Sequence, residues 1–258
     1  MTVTVCITCD IDTELRDKNY LKKYLMLLDK KKVKATFFVN NEIIEKNPGQ
    51  ASLLKKTKHE IGAHGDTHTP FYGSYSELCK RLKKNKLTLE EFYKTKIMGF
   101  RAPMLKYSKE LYEALRENGF RYSSNFHRRE LISWVPFFGF TYELSFFSKI
   151  KPLLKSLADL VYVKKPKPYK IKGVLEIPVT TPCDWFLVDF VKTKRIYETW
   201  KDIFDDMAKK NGDFVFVVLT HPQYISNGHL VELSRFIDYV KMKNAELKTL
   251  NEITSSYS

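Results

Sequence analysis

The chain has 258 residues, with 44 Lys plus Arg against 30 Asp plus Glu and a formal net charge of +14. A hydrophobic fraction of 43% supplies a core and excludes a wholly disordered chain, while ten Gly and ten Pro exclude a collagen-like or linker-type polymer. No run of 18 apolar residues occurs, so no transmembrane helix is expected, and the basic balance leaves nucleic-acid binding open until the motifs are read.

Residues 3–9 are β-branched and apolar and read as a strand. No basic segment or small-residue cleavage site precedes them, which predicts a cytoplasmic protein. Residues 20–31 carry Leu21, Tyr24, Leu25 and Leu28 at helical spacing. A strand follows at 34–40, then a mostly helical stretch at 42–58 interrupted at Pro48, a short strand at 59–63 and a Lys-rich amphipathic helix at 74–95. Residues 97–101 read as a strand, 108–118 as a helix stopped by Gly119, and 120–124 as a strand. Between 126 and 172 the rhythm lapses. Trp134, Phe137, Phe138, Phe140, Tyr142, Phe146 and Phe147 crowd together ahead of an amphipathic stretch and the string KKPKPYK. That segment reads as an insertion packing its aromatics on the rest; a substrate lid and a weak membrane-surface contact through 134–170 are the alternatives. Strands then follow at 174–179 and 214–220, helices at 195–211 and 229–242, and a short last strand at 245–250.

About seven strands alternating with helices predict an α/β fold, a distorted (β/α) barrel around a parallel sheet, as one domain over 1–258. Cys6 and Cys9 spell C-x-x-C, but residues three apart on a strand face opposite sides, and no second pair follows. A zinc or redox role for that pair is therefore not expected.

The polar residues that end the strands carry the chemistry. The first strand ends at Asp10 and Asp12, the third at His64 and His68, the fourth at Arg101, the sixth at Thr180, Thr181 and Asp184-Trp185, and the last at His221. In a parallel barrel all strand C-termini share one rim, where barrel active sites sit. His59 precedes its strand and falls at the other end; His127 and His229 lack partners in the pattern. Two imidazoles and a carboxylate make a three-ligand metal site with positions open for water and substrate. A second carboxylate can take a proton from water, a histidine opposite can protonate a leaving group, and an arginine can orient a carboxylate. Those are the parts for metal-assisted hydrolysis of an amide.

These strings resemble the motifs of the polysaccharide deacetylase superfamily, the NodB-homology or carbohydrate esterase family 4 (CE4) enzymes, from Val3 to about Leu250. The resemblance implies a NodB-type barrel and a divalent metal, zinc foremost. In Thr8-Cys9-Asp10-Ile11-Asp12, Asp10 matches the catalytic base and Asp12 a metal ligand. In His64-Gly65-Asp66-Thr67-His68 both histidines match metal ligands, with Gly65 where the family carries a hydroxyl residue. Arg101-Ala102-Pro103-Met104 supplies the arginine that orients the base; the Met104 N–H would face the oxyanion, but its side chain cannot supply the family's aromatic wall. Asp184 is expected to brace Arg101, Trp185 to wall the substrate pocket, and Leu219-Thr220-His221 to bring Leu219 against substrate and His221 as general acid. The implied activity is metal-dependent removal of an N-acetyl group from an amino sugar, as polymer, oligomer, or nucleotide- or lipid-linked precursor. A non-sugar amide or ureide is the alternative substrate, and an inactive binding protein a further one. No nucleic-acid partner is expected, and the oligomeric state stays open.

Overall fold

The computed structural model describes residues 2–11, 19–125, 167–210, 212–226 and 228–257. Asp12 and the greater part of the expected insertion, residues 126–166, lie outside them.

Strand β1 (Val3–Ile11) is the axis of the fold. It is followed by α1 (Asn19–Lys31), β2 (Thr36–Val39), α2 (Asn41–Lys46), α3 (Pro48–Ala51) and a 3-10 turn at Ser52–Lys56. Next come β3 (Glu60–Ala63), α4 (Tyr75–Tyr93), β4 (Gly99–Phe100), a 3-10 turn (Pro103–Leu105), α5 (Leu111–Glu117) and β5 (Tyr122–Ser123). The C-terminal part holds β6 (Tyr169–Ile171), β7 (Val174–Glu176), a π turn (Phe186–Phe190), α6 (Ile196–Lys210) and β8 (Phe214–Thr220). It ends with α7 (Pro222–Ile225), α8 (Leu230–Met242), β9 (Glu246–Leu247) and α9 (Leu250–Thr254).

The sheet runs β6-β7-β5-β4-β3-β2-β1-β8, and β9 pairs with the start of β1. All these pairings are parallel except β6 with β7. A single parallel bridge between Thr180 and Val218 draws the chain after β7 onto β8, so the curled sheet nearly closes. This is the expected distorted barrel.

The side chains of β1 show how the sheet divides the core. Val5, Ile7, Cys9 and Ile11 join the layer between sheet and helices, while Cys6 joins an inner cluster with Phe38, Tyr122, Leu175, Ile177, Val215 and Val217. The two cysteines thus face opposite sides, as strand geometry requires. The same alternation turns Thr8 and Asp10 inward. Phe38 and Tyr122 fill the barrel because two neighbours have no side chain. A Cβ on Gly62 would lie 2.7 Å from the Phe38 ring, and one on Gly99 would lie 1.9 Å from the Tyr122 ring.

Outside, α1 buries Leu21, Tyr24, Leu25 and Leu28, the stripe read from the sequence. Each such apolar side chain contributes roughly 1.5–3 kcal/mol when fully buried. Helix α4 starts at a capping box in which Ser74 Oγ accepts from the Glu77 N–H and Glu77 accepts from the Ser74 N–H. The end of the barrel opposite the rim is plugged by α9, whose Leu250 and Ile253 enter the inner cluster. Half-buried Glu60 anchors it, accepting from the Asn251 N–H at 3.0 Å and from Tyr122 OH at 2.5 Å.

Three elements differ from the sequence reading. Residues Tyr169–Ile171, placed in the insertion, instead form an antiparallel hairpin with β7 through a Lys172-Gly173 turn, both residues at positive φ (48° and 86°). The short helices α7 and α9 were not anticipated. The stretch at 42–58, by contrast, is broken at Asn47-Pro48 as the sequence suggested, into three short helical pieces.

Candidate active site

Register alone gathers the polar residues on one rim. Cys9 lies opposite Thr220 and Ala63 opposite Phe100, so one step further Asp10 adjoins His221 and His64 adjoins Arg101. Neighbouring strands lie roughly 4.8 Å apart, which brings such pairs within side-chain reach.

Arg101 is the centre of the arrangement and is fully buried. Its Nη1 donates to Asp10 Oδ1 and to Thr8 Oγ1, both at 2.8 Å. Its Nε donates to the Ser124 carbonyl at 2.9 Å and its Nη2 to Ser124 Oγ at 2.8 Å. The guanidinium also lies 4.2 Å over the Phe38 ring. A buried charge needs this degree of pairing, since several kcal/mol of desolvation must be offset. Asp10 is consequently fixed, with its second oxygen, Oδ2, 3.7 Å from His64 Nε2.

His64 is oriented by its other nitrogen. Nδ1 lies 2.9 Å from the Arg101 carbonyl, which can only accept, so in the neutral ring Nδ1 carries the proton and Nε2 presents a lone pair. The His64 and His68 ring centroids are 5.7 Å apart. The two rings converge across a loop that turns at Gly65, φ +86°. A hydroxyl residue is not needed to brace that loop. Asn85 of α4 accepts from the Gly65 N–H at 2.9 Å and donates to Asn41 Oδ1 at 2.8 Å. Arg81 of the same helix pairs with Asp66 at 2.8 Å and donates to the Pro70 carbonyl. His68 itself donates its backbone N–H to Glu42 at 2.8 Å.

Across the rim, Asp184 is fully buried and holds His221 twice. Its Oδ2 accepts from the His221 N–H at 2.6 Å, and Oδ1 lies 2.7 Å from His221 Nδ1. Burial raises the Asp184 carboxyl above the usual carboxylate range, while His221 opposes that shift. The expectation that Asp184 braces Arg101 is corrected here: the partners of Arg101 are Asp10, Thr8 and Ser124, and Asp184 takes the histidine instead. Half-buried Cys183 sits in the field of both rim carboxylates. Burial first, then Asp184 and Asp10, push its thiol up to about 12, which makes it a poor nucleophile.

The remaining expected residues line the same rim. Trp185 is 39% exposed and Met104 51% exposed, the latter at φ +54° in the turn after Arg101. Leu219 is buried in β8. His59 lies at the opposite end, accepting from the Ala35 N–H, and His229 precedes α8. Sequence reasoning missed Ser124, Thr8, Asn85 and Arg81. The available signal for Asn85 was an amide within the apolar stripe of Leu78, Leu82 and Leu89.

The sequence model of the polysaccharide deacetylase family matches residues 2–123, which hold Asp10, His64, His68 and Arg101. The chain is 22% identical over 256 residues to a peptidoglycan deacetylase of Helicobacter pylori, covering 92% of this chain and 83% of that protein. Residues 2–123 thus carry the polysaccharide deacetylase pattern, and the fold and the relatives support a likeness to that superfamily. A Mycobacterium smegmatis crystal structure assigned to the polysaccharide deacetylases shares the NodB-type fold at TM-score 0.74 and 21% identity, covering 99% of this chain and 90% of that one. A Puue allantoinase structure shares it at TM-score 0.70 and 14% identity, covering 98% and 89%. Among the described residues no helix is long and apolar enough to cross a membrane.

A divalent metal is implied by this superfamily, and the donor set bears on whether it fits. Among the described residues no three His, Cys, Asp or Glu side chains form a metal cluster; the third expected ligand, Asp12, lies outside them. The two imidazoles do fit. A metal-binding histidine typically donates its second ring N–H to a carbonyl or carboxylate, as His64 does to Arg101.

Proposed function

We propose that this protein is a metal-dependent N-deacetylase that hydrolyses the acetamido group of an amino sugar. The observation that carries the reading is a pair of oppositely braced groups on one rim: Asp10 held by Arg101, and His221 held by Asp184. Hydrolysis of an amide needs a base for water and an acid for the leaving nitrogen, and a cleft that fixes both meets that need.

His64, His68 and Asp12 would hold the metal, zinc foremost. When bound, it would polarise the acetyl carbonyl and acidify water at neutral pH. Asp10 takes the proton from the attacking water, with Arg101 keeping its carboxylate aimed. The water oxygen bonds to the acetyl carbon, and the Met104 N–H would face the developing oxyanion. His221, protonated, gives its Nε2 proton to the nitrogen as the C–N bond breaks, releasing acetate and the amine. Asp184 holds the proton on Nδ1 and so keeps Nε2 as the transferring atom.

The substrate class rests on the superfamily and on the H. pylori relative, named a peptidoglycan deacetylase. Acetylated amino-sugar oligomers and nucleotide- or lipid-linked precursors are the substrates to assay. Trp185, 39% exposed, would stack on a sugar ring. Acetate release from such substrates, lost on chelation and restored by zinc, is the expected result. Turnover that survives complete metal removal would overturn the metal assignment. Hydrolysis of cyclic ureides alone would replace the sugar reading with the amide one.

A further inference from the structure

We infer that Glu176 is a positioning residue for the Arg101–Asp10 pair, acting through Asn125 and Ser124. The inference deepens the reading above and rests on it for its catalytic consequence. Glu176 ends β7 and is completely buried, yet neither its burial nor its charge is used by the chemistry already described. Its neighbours Leu175 and Ile177 belong to the inner cluster, so Glu176 faces the opposite side of the sheet, toward α5.

Each oxygen has a task there. Oε1 accepts from the Asn125 backbone N–H at 2.6 Å, and Oε2 accepts from Tyr112 OH at 3.0 Å. Tyr112 OH lies 3.3 Å from Tyr107 OH, which fixes the tyrosine in turn. Asn125 carries the constraint inward. Its Oδ1 accepts from the Ala102 N–H at 3.0 Å, next to Arg101, and its Nδ2 donates to Ser123 Oγ at 2.5 Å. Ser124, between Ser123 and Asn125, supplies two of the four acceptors of the Arg101 guanidinium. One buried carboxylate therefore fixes the segment that cradles Arg101 from below and the peptide that leaves it toward Met104.

The alternative places for these contacts are few. Strands β4 and β5 pair through only two registered positions, Gly99 with Tyr122 and Phe100 with Ser123. Past Ser123 the backbone bonds continue from Ser124 N–H to the Phe100 carbonyl and from Val179 N–H to the Asn125 carbonyl, and the Asn125 and Glu176 side chains add the bonds to the Ala102 and Asn125 N–H groups. A network of this kind fixes a first-contact residue to the fraction of an ångström that catalysis needs.

The test compares Glu176→Gln, which retains an acceptor for the Asn125 N–H and a partner for Tyr112, with Glu176→Ala, which retains neither. The readout independent of activity is amide-type exchange of the Arg101 Nε–H by NMR, assigned with Arg101→Lys, on variants whose global stability is measured by urea unfolding. Exchange at least tenfold faster in Glu176→Ala, and within threefold of wild type in Glu176→Gln, is expected. In the acetate-release assay kcat should fall at least tenfold in Glu176→Ala with KM within twofold, and Glu176→Gln should restore most of it. Unchanged Arg101 protection in a folded Glu176→Ala protein overturns the inference. Should that variant not fold, Asn125→Ala, which keeps its own backbone N–H but frees that of Ala102, decides by the same exchange measurement. A wild-type chain without hydrolase activity would remove the functional reading while leaving the exchange result standing.

Discussion

At the scale of single residues, the rim consists of two charge-bearing pairs that differ in what they fix. Arg101 fixes the direction of Asp10, and Asp184 fixes the tautomer of His221. Asp10→Asn should lower kcat by roughly 10²- to 10⁴-fold, the usual worth of a general base, with metal content unchanged by elemental analysis. Near-native turnover in that variant would remove Asp10 from the role. Asp184→Asn offers the histidine an amide that can present either a donor or an acceptor, so the His221 tautomer is no longer dictated. A loss of similar size is expected, with substrate affinity little changed. Arg101→Met differs because the partner left behind is a buried carboxylate. Truncating one member of a buried ion pair costs about 3–5 kcal/mol, so urea unfolding should show a loss of that order. A stable Arg101→Met protein would mean that Asp10 finds another partner.

At the scale of elements, α4 does more than cover the sheet. Through Asn85 and Arg81 it holds the His64–His68 loop, which has no regular structure of its own. Asn85→Ala leaves the buried Gly65 N–H without its acceptor, a cost of about 1–3 kcal/mol. It should also weaken zinc binding by roughly 10- to 100-fold, the typical effect of losing a group that supports a ligand. Titration calorimetry with zinc would show this, and unaltered affinity would detach α4 from the site. The elements themselves were unequally legible. Strands β1 and β8 are long and apolar, so composition and burial agree and both could be read. Residues 169–171 could not, because Lys-Pro-Lys-Pro-Tyr-Lys has a loop's composition and only the partner β7 makes it a strand. Helix α9 escaped because five residues carry too little periodicity, and its place is set by Glu60 far away in sequence. The rim residues were legible as strand ends. Which of them pair was not, because Asp184 meets His221 only after the chain crosses from β7 to β8.

At the scale of the whole molecule, burial of carboxylates inside a nearly closed sheet links stability to pH. Burial raises Glu176 from an ordinary value of 4.5 to about 7, even though the bonds from Asn125 and Tyr112 act the other way. The sign follows from proton counting. Between about 4.5 and 7 the folded chain holds a proton that the unfolded chain has released, so the stability of the fold declines as pH rises through that window. Below it both states are protonated and above it both are ionised, so the contribution is flat on either side. The span corresponds to about 3 kcal/mol at full burial. Half-buried Glu60 and fully buried Asp184 are raised as well by desolvation and act in the same direction, so the wild-type curve alone cannot isolate one group. Glu176→Gln can, because it removes a single titration and keeps the shape of the site. The stability of Glu176→Gln minus that of wild type, from urea unfolding at each pH, should be level near pH 4. It should climb by about 3 kcal/mol toward pH 7.5 and level off again. A difference that stays constant across that range would mean that Glu176 is solvated in the fold, which its complete burial does not allow.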